Sequence, residues 1–205
     1  KRSNIKKVLL ILAVLIFGNF AFAEDVVLSG GVTFDWVNME QVQRDEAIEN
    51  YKNIIFANQE DIGYEKKEFK EKYKDYLKDA EYKTHYRLSD AGVTETEDAK
   101  LCAFFAERPH VLYMYALQYK NRPDRVFYYT PFGKLMYVDE MSENYPDFPY
   151  HSKQYRMNGS LVGAIYFTDK DTQYTYEPDG KFKGVWYKDK MFDHRAKLIL
   201  TRTNW

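Results

Sequence analysis

The residues of this chain whose types could do chemistry are four histidines, one cysteine, a few turn and strand carboxylates and an unusual number of aromatic rings. His85, His110, His151 and His194 are scattered, with no two at i, i+3 or i+4, so no metal-ligand spacing is present. Asp169-Lys170-Asp171 begins like a calcium loop. It lacks the required Gly at the sixth position (Tyr174) and the required Glu at the twelfth (Gly180), so it reads as a turn. Glu95, Glu97 and Asp98 are flexible loop carboxylates, which read first as solvated charges. No Gly-x-Ser-x-Gly elbow or phosphate-binding glycine loop occurs. Cys102, with His110 or His194, could form a nucleophile–base pair, but within Leu101-Cys102-Ala103-Phe104-Phe105 it reads more simply as a small buried side chain. No catalytic residue, metal or cofactor is therefore assigned.

What remains is aromatic: 19 Tyr, 14 Phe and 3 Trp. Tyr113, Tyr115 and Tyr119 alternate along one stretch, and Tyr128, Tyr166 and Trp186 continue the theme. Such rings stack on glycans or fill protein interfaces, so Tyr113, Tyr128, Tyr166 and Trp186 are the candidate binding residues. The competing use is the core and half-wet face of a sheet with few aliphatics. A second possibility is an enzyme acting on cell-envelope polymer. It needs two carboxylates converging across the aromatic groove, drawn from Glu107, Asp139 and Glu140. A third is a small-ligand carrier, with the sheet closed into a barrel round an apolar pocket.

The elements that must position these residues follow from composition and periodicity. Lys1, Arg2, Lys6 and Lys7 precede an apolar run, residues 8–18, and then Ala21-Phe22-Ala23. This order predicts a secretory signal over 1–23 and an exported, periplasmic or extracellular protein. The run is too short to span a bilayer, so no stable membrane insertion is expected after cleavage. Taking the four basic leader residues from the chain's 30 leaves 26 against 31 acidic ones, a formal charge of −5. That balance argues against nucleic acid and against docking on anionic lipid. A single cysteine allows no intramolecular disulfide, so the core alone must hold the fold.

Residues 24–98 read as a helical region with a linker, and 99–205 as an antiparallel β-repeat sheet. The fold class is α+β, a helical hairpin followed by a β-meander. Met39, Val42, Ile48, Tyr51, Ile54 and Ile55 mark a first amphipathic helix, with Asn38 and Gln41 offering a capping box. Phe69, Tyr73, Tyr76, Leu77 and Ala80 mark one face of a second, opposite a Lys/Glu lattice. Residues 88–98 read as a loop. Beyond Ala99, short Tyr-, Phe- and Val-rich runs alternate with turn residues, as in a meander. Within 99–120, LCAFFAE and VLYMYALQY are apolar on both faces and fit helix as well as strand; Pro109 between them and the abundant aromatics favour strands.

Aligning the turn glycines exposes a repeat: Tyr129-Thr-Pro-Phe-Gly133-Lys-Leu135, Tyr155-Arg-Met-Asn-Gly159-Ser-Leu161 and Tyr176-Glu-Pro-Asp-Gly180-Lys-Phe182. Each has Tyr four before the Gly and Leu or Phe two after it. Gly163 and Gly184 follow the last two, four residues on. The turn glycines Gly133, Gly159 and Gly180 supply positive φ, and the flanking apolar pair stacks across the hairpin. Over about 125–190 this pattern resembles the Tyr-Gly hairpin repeats of MORN-like proteins, and less closely the YD repeats of bacterial Rhs-type proteins. The strict Tyr-Asp of the latter is absent, since Thr130, Arg156 and Glu177 follow the tyrosines. The resemblance implies a repetitive sheet serving as a scaffold or binding surface, with no catalytic residue to carry over; with the aromatic rings, the expected partner is a protein or an envelope glycan. The open edge strand offers strand addition or self-association.

Overall fold

The computed structural model describes residues 35–57, 63–79, 92–107 and 110–201; the expected signal segment, 1–23, lies outside them. The fold is α+β. Helices α1 (Gln41–Ile55) and α2 (Lys66–Lys72) precede strands β1 (Gly92–Glu95), β2 (Ala99–Glu107), β3 (His110–Tyr119) and β4 (Arg125–Tyr129). Then come β5 (Leu135–Met141), β6 (Tyr150–Arg156), β7 (Leu161–Phe167), β8 (Thr172–Tyr176), β9 (Phe182–Tyr187), β10 (Lys190–Phe192) and β11 (Leu198–Thr201). All eleven form one sheet in chain order, each antiparallel to the next, so the topology is a plain meander. Every connection is local, as short turns between antiparallel strands require.

Three boundaries differ from the sequence expectation. Helix α1 starts at Gln41, not after Asn38: the Gln43 side chain accepts the Glu40 backbone N–H at 3.0 Å, while Asn38 donates to Asp35 at 2.7 Å. The second helix does not run to Ala80. It breaks at Tyr73, makes a 3₁₀ turn over Lys74–Tyr76 and then extends, with Lys78 bridging Lys134. The break follows from that reach, because the chain must leave the helix to meet the β4–β5 turn. Finally, β1 lies inside the stretch read as a loop, where Gly92–Glu95 pairs with Ala103–Lys100.

The repeat is a shared piece of backbone geometry. In each hairpin the turn Gly donates its N–H three residues back, to Thr130, Arg156 or Glu177, at 2.8–2.9 Å. That residue in turn donates to the carbonyl of the residue after the Gly at 2.8–2.9 Å. The glycines sit at φ 73°, 83° and 82°. This is a three-residue loop closed by a residue in the left-handed region, which matches the twist of the arms. Each hairpin pairs its Tyr with the Leu or Phe beyond the turn: Tyr129 with Leu135, Tyr155 with Leu161, Tyr176 with Phe182. A register shift falls directly before the Tyr in every case.

A fourth copy joins β10 to β11. In Phe192-Asp-His-Arg-Ala196-Lys-Leu198, Ala196 takes the glycine place at φ 60°. Phe192 pairs with Leu198 after the same shift, and the two turn hydrogen bonds recur at 3.0 and 2.9 Å.

Residues 35–57 and 63–79 form a strap that visits these four turns in reverse order. Trp36 Nε1 donates to the Asp193 carbonyl at 3.0 Å, and Gln41 and Arg44 donate to the His194 carbonyl at 2.9 and 3.1 Å. The Lys52 side chain covers Gly180. Tyr64 N–H donates to the Gly159 carbonyl at 2.9 Å. Asp79 N–H donates to the Gly133 carbonyl at 2.8 Å, and Leu135 N–H to the Leu77 carbonyl at 3.1 Å.

The strap thereby covers one face of the sheet. Phe69 and Tyr73 of the α2 segment enter a cluster with Tyr115, Phe127, Tyr129, Leu135, Tyr155 and Leu161. Trp36 and Ile55 pack on Ala164, Tyr174, Tyr176 and Val185, which places α1 over β7 and β8. The second face is buried too. Its cluster runs from Cys102 and Phe104 of β2 through Tyr128, Met141 and Ile165 to Trp186 and Met191, and no described helix lies on it.

Candidate functional surfaces

The four rings singled out from sequence divide between the two faces and do not line one groove. Tyr128 and Trp186 are fully buried in the second-face cluster, and Tyr113 packs half-buried against it. Tyr166 faces the other way, under α1, its ring stacked on Tyr51 at 4.4 Å and 16°. As a solvent-facing aromatic groove, then, the four-residue set is corrected. Burying such rings removes large apolar areas from water, and here that use takes precedence over display.

The carboxylates also part company. Asp139 and Glu140 are consecutive on β5, so strand alternation sends them to opposite faces. Of Glu107 the structure describes the backbone alone. Glu140 belongs to the strap. It accepts from the Tyr64 hydroxyl at 2.8 Å, Lys72 at 2.9 Å and the Tyr73 hydroxyl, with Arg125 at 3.8 Å. Burial by itself would raise Glu140, but the hydrogen bonds from Tyr73 and Lys72 and the charges of Arg125 and Lys72 leave it below the usual carboxylate range. Burial first, then Glu140 itself, push the Tyr73 hydroxyl far above its ordinary value. Both shifts describe a clasp that keeps its charge while it fastens α2 to β4 and β5.

Asp139 has the reverse chemistry. It lies on the second face, 1 % exposed, and accepts the Tyr128 hydroxyl at 2.6 Å. Burial pushes its pKa up to about 7, against hydrogen bonding from Tyr128 and Gln154. Cross-strand pairing sets Gln154 beside Asp139 and Gly163 beside Gln154, and in the next row Ser152 beside Ile165 and Ile165 beside Thr175. The second glycines of the repeat are explained here. Gly163 supplies wall without side chain in this polar patch. At Gly184 a Cβ would lie 2.6 Å from Met191 Cε, so its absence lets β10 close in.

Cys102 is a core residue whose thiol burial drives up to about 12, which removes it as a nucleophile at neutral pH. Among the described residues no cluster of three His, Cys, Asp or Glu could hold a metal ion. Nor is any described helix long and apolar enough to cross a membrane.

Two strands edge the sheet, β1 and β11, each with one side that no described strand pairs; β11 is the one whose side chains are apolar and exposed. Strand β11, Leu-Ile-Leu-Thr, is paired on one side with β10, and no described strand pairs with its other side. All its side chains are exposed, Leu198 by 46 %, Ile199 by 44 % and Leu200 by 37 %. Sequence reading anticipated an open edge but did not locate it at 198–201. Comparison with protein-family models, with curated proteins and with solved structures finds no match for this chain.

Proposed function

We propose that this protein is a non-catalytic binding module, a hairpin-repeat scaffold of the MORN-like kind that acts after export and captures an extended segment of a partner protein along β11. The observation that carries this reading is an uncharged edge strand with three consecutive exposed apolar residues. Edge strands that are meant to stay alone are usually blunted by charge, proline or a bulge, because their free N–H and C=O groups template another chain. Here the ladder hydrogen bonds would supply affinity, and Leu198, Ile199 and Leu200 would select apolar side chains on the incoming strand.

The test is selection from a displayed library of unstructured peptides on the immobilised protein. The reading expects apolar, strand-forming peptides whose binding is lost in Ile199→Pro, with the fold checked by circular dichroism. Peptides that bind Ile199→Pro as well as they bind the parent would overturn it.

A further inference from the structure

We infer that the segment β11 receives is an apolar, strand-forming stretch of another protein that runs antiparallel to β11 and carries carboxylates directly after its apolar core. The inference rests on the reading of β11 as a docking edge and adds the chemistry that selects its occupant. Arg195 and Lys197, just before the strand, are both exposed, and neither forms an ion pair among the described residues. The carboxylate of the same turn is engaged: Asp193 Oδ1 accepts the backbone N–H groups of Arg195 and Lys197 at 2.9 and 2.8 Å. At the other end of β11, Lys190 stands opposite Thr201 and is paired with Asp189 at 3.2 Å. The free cations therefore gather at one end of the edge, in a chain with 31 acidic and 30 basic residues.

Both cations precede the strand, so they leave its backbone ladder free, unlike a charge set within an edge strand to block pairing. Every strand pair in this sheet is antiparallel, and antiparallel pairing is also slightly the more stable. An incoming strand of that sense reaches the Arg195 and Lys197 end last, which is why its carboxylates belong after the core. A second copy of β11 does not fit. Lys197 precedes the strand and Arg202 follows it in sequence, so either orientation of a second β11 sets cation beside cation. The other edge strand, β1, has one apolar residue among its four, Gly-Val-Thr-Glu.

The experiment follows the fluorescence anisotropy of three labelled peptides, capped at both termini, on the whole protein. All share the core Val-Ile-Val-Thr-Val; two glutamates follow it, two glutamates precede it, or two glutamines follow it. Exposed ion pairs are weak, so the first peptide is expected to bind about fivefold more tightly than the other two at low salt. The gap should close at about 0.5 M salt, and also in the double variant Arg195→Gln, Lys197→Gln. Equal binding of all three by the parent, or a preference for glutamates before the core, overturns the inference and leaves the docking edge standing, provided Ile199→Pro abolishes binding. No binding to the parent, or undiminished binding to Ile199→Pro, removes the edge reading and the inference with it. Self-assembly of the protein alone, seen by sedimentation as concentration rises and lost in Ile199→Pro, gives the edge to a second copy and overturns the inference as well.

Discussion

Replacing Asp139 by Asn tests the interior directly, because the two side chains have the same shape and only one can ionise. The Asp139 pKa rises from 3.8 to about 7 on folding, chiefly through burial. A raised pKa contributes stability that is complete below the unfolded value and is lost as pH climbs through the folded one. Between those limits the parent forfeits about 1.4 kcal/mol per pH unit relative to a side chain that never ionises. From pH 5 to pH 8.5 the folded carboxyl travels most of that range, so the Asn variant should gain about 3 kcal/mol on the parent. Urea unfolding followed by the fluorescence of buried Trp36 and Trp186 reads this difference at each pH. With an m-value of about 2 kcal/mol/M, the gap between the two midpoints changes by about 1.5 M. Other titrating groups cancel in the comparison. Unfolding curves separated by the same amount at pH 5 and pH 8.5 would refute the argument, since Asp139 would then ionise at the same pH folded and unfolded.

The four turns make opposite predictions at equivalent places. Gly159→Ala should lose at least about 2 kcal/mol, because φ is 83° and the new Cβ falls 2.2 Å from the Tyr64 carbonyl oxygen. Ala196→Gly relieves a left-handed alanine and should stabilise by up to about 1 kcal/mol; both changes are read by thermal melting. Glu140→Gln removes the anion between Lys72 and Arg125, so faster amide exchange should appear in 66–79 while β6–β8 stay protected. For Glu140, whose pKa is lowered on folding, the stabilisation is present above the unfolded value and disappears as pH falls through the folded one, so acid should loosen the same segment first. Cys102 should resist a colourimetric thiol reagent at pH 8 in the native protein and react at once in denaturant; prompt native reaction would contradict its burial.

Much of this architecture is legible in the residues, for physical reasons that also mark the limits. Turn chemistry is local, so Gly133, Gly159 and Gly180 announce their hairpins, and the Tyr-to-Leu spacing reports the pairing across each loop. The fourth turn escapes because Ala196 adopts the glycine conformation without being glycine. Helix α1 is visible in its apolar spacing, but the true course of the strap is not. Its grip on the turns runs through the carbonyls of Gly133, Gly159, Asp193 and His194, and backbone acceptors leave no mark on side-chain identity. The orientation of the aromatics is hidden for another reason. All seven residues of β7 are buried, so the alternation that would tell inside from outside is absent. Tyr128 and Tyr129, adjacent and both buried, face different cores.

The claim that β11 receives another chain is tested most directly by backbone amide exchange over 198–201, with and without a peptide selected on the protein. The account predicts exchange-labile amides on the open side of β11 in the free protein and protection of those same amides in the complex. A peptide that binds while 198–201 exchange unchanged, and that protects some other segment, would contradict it.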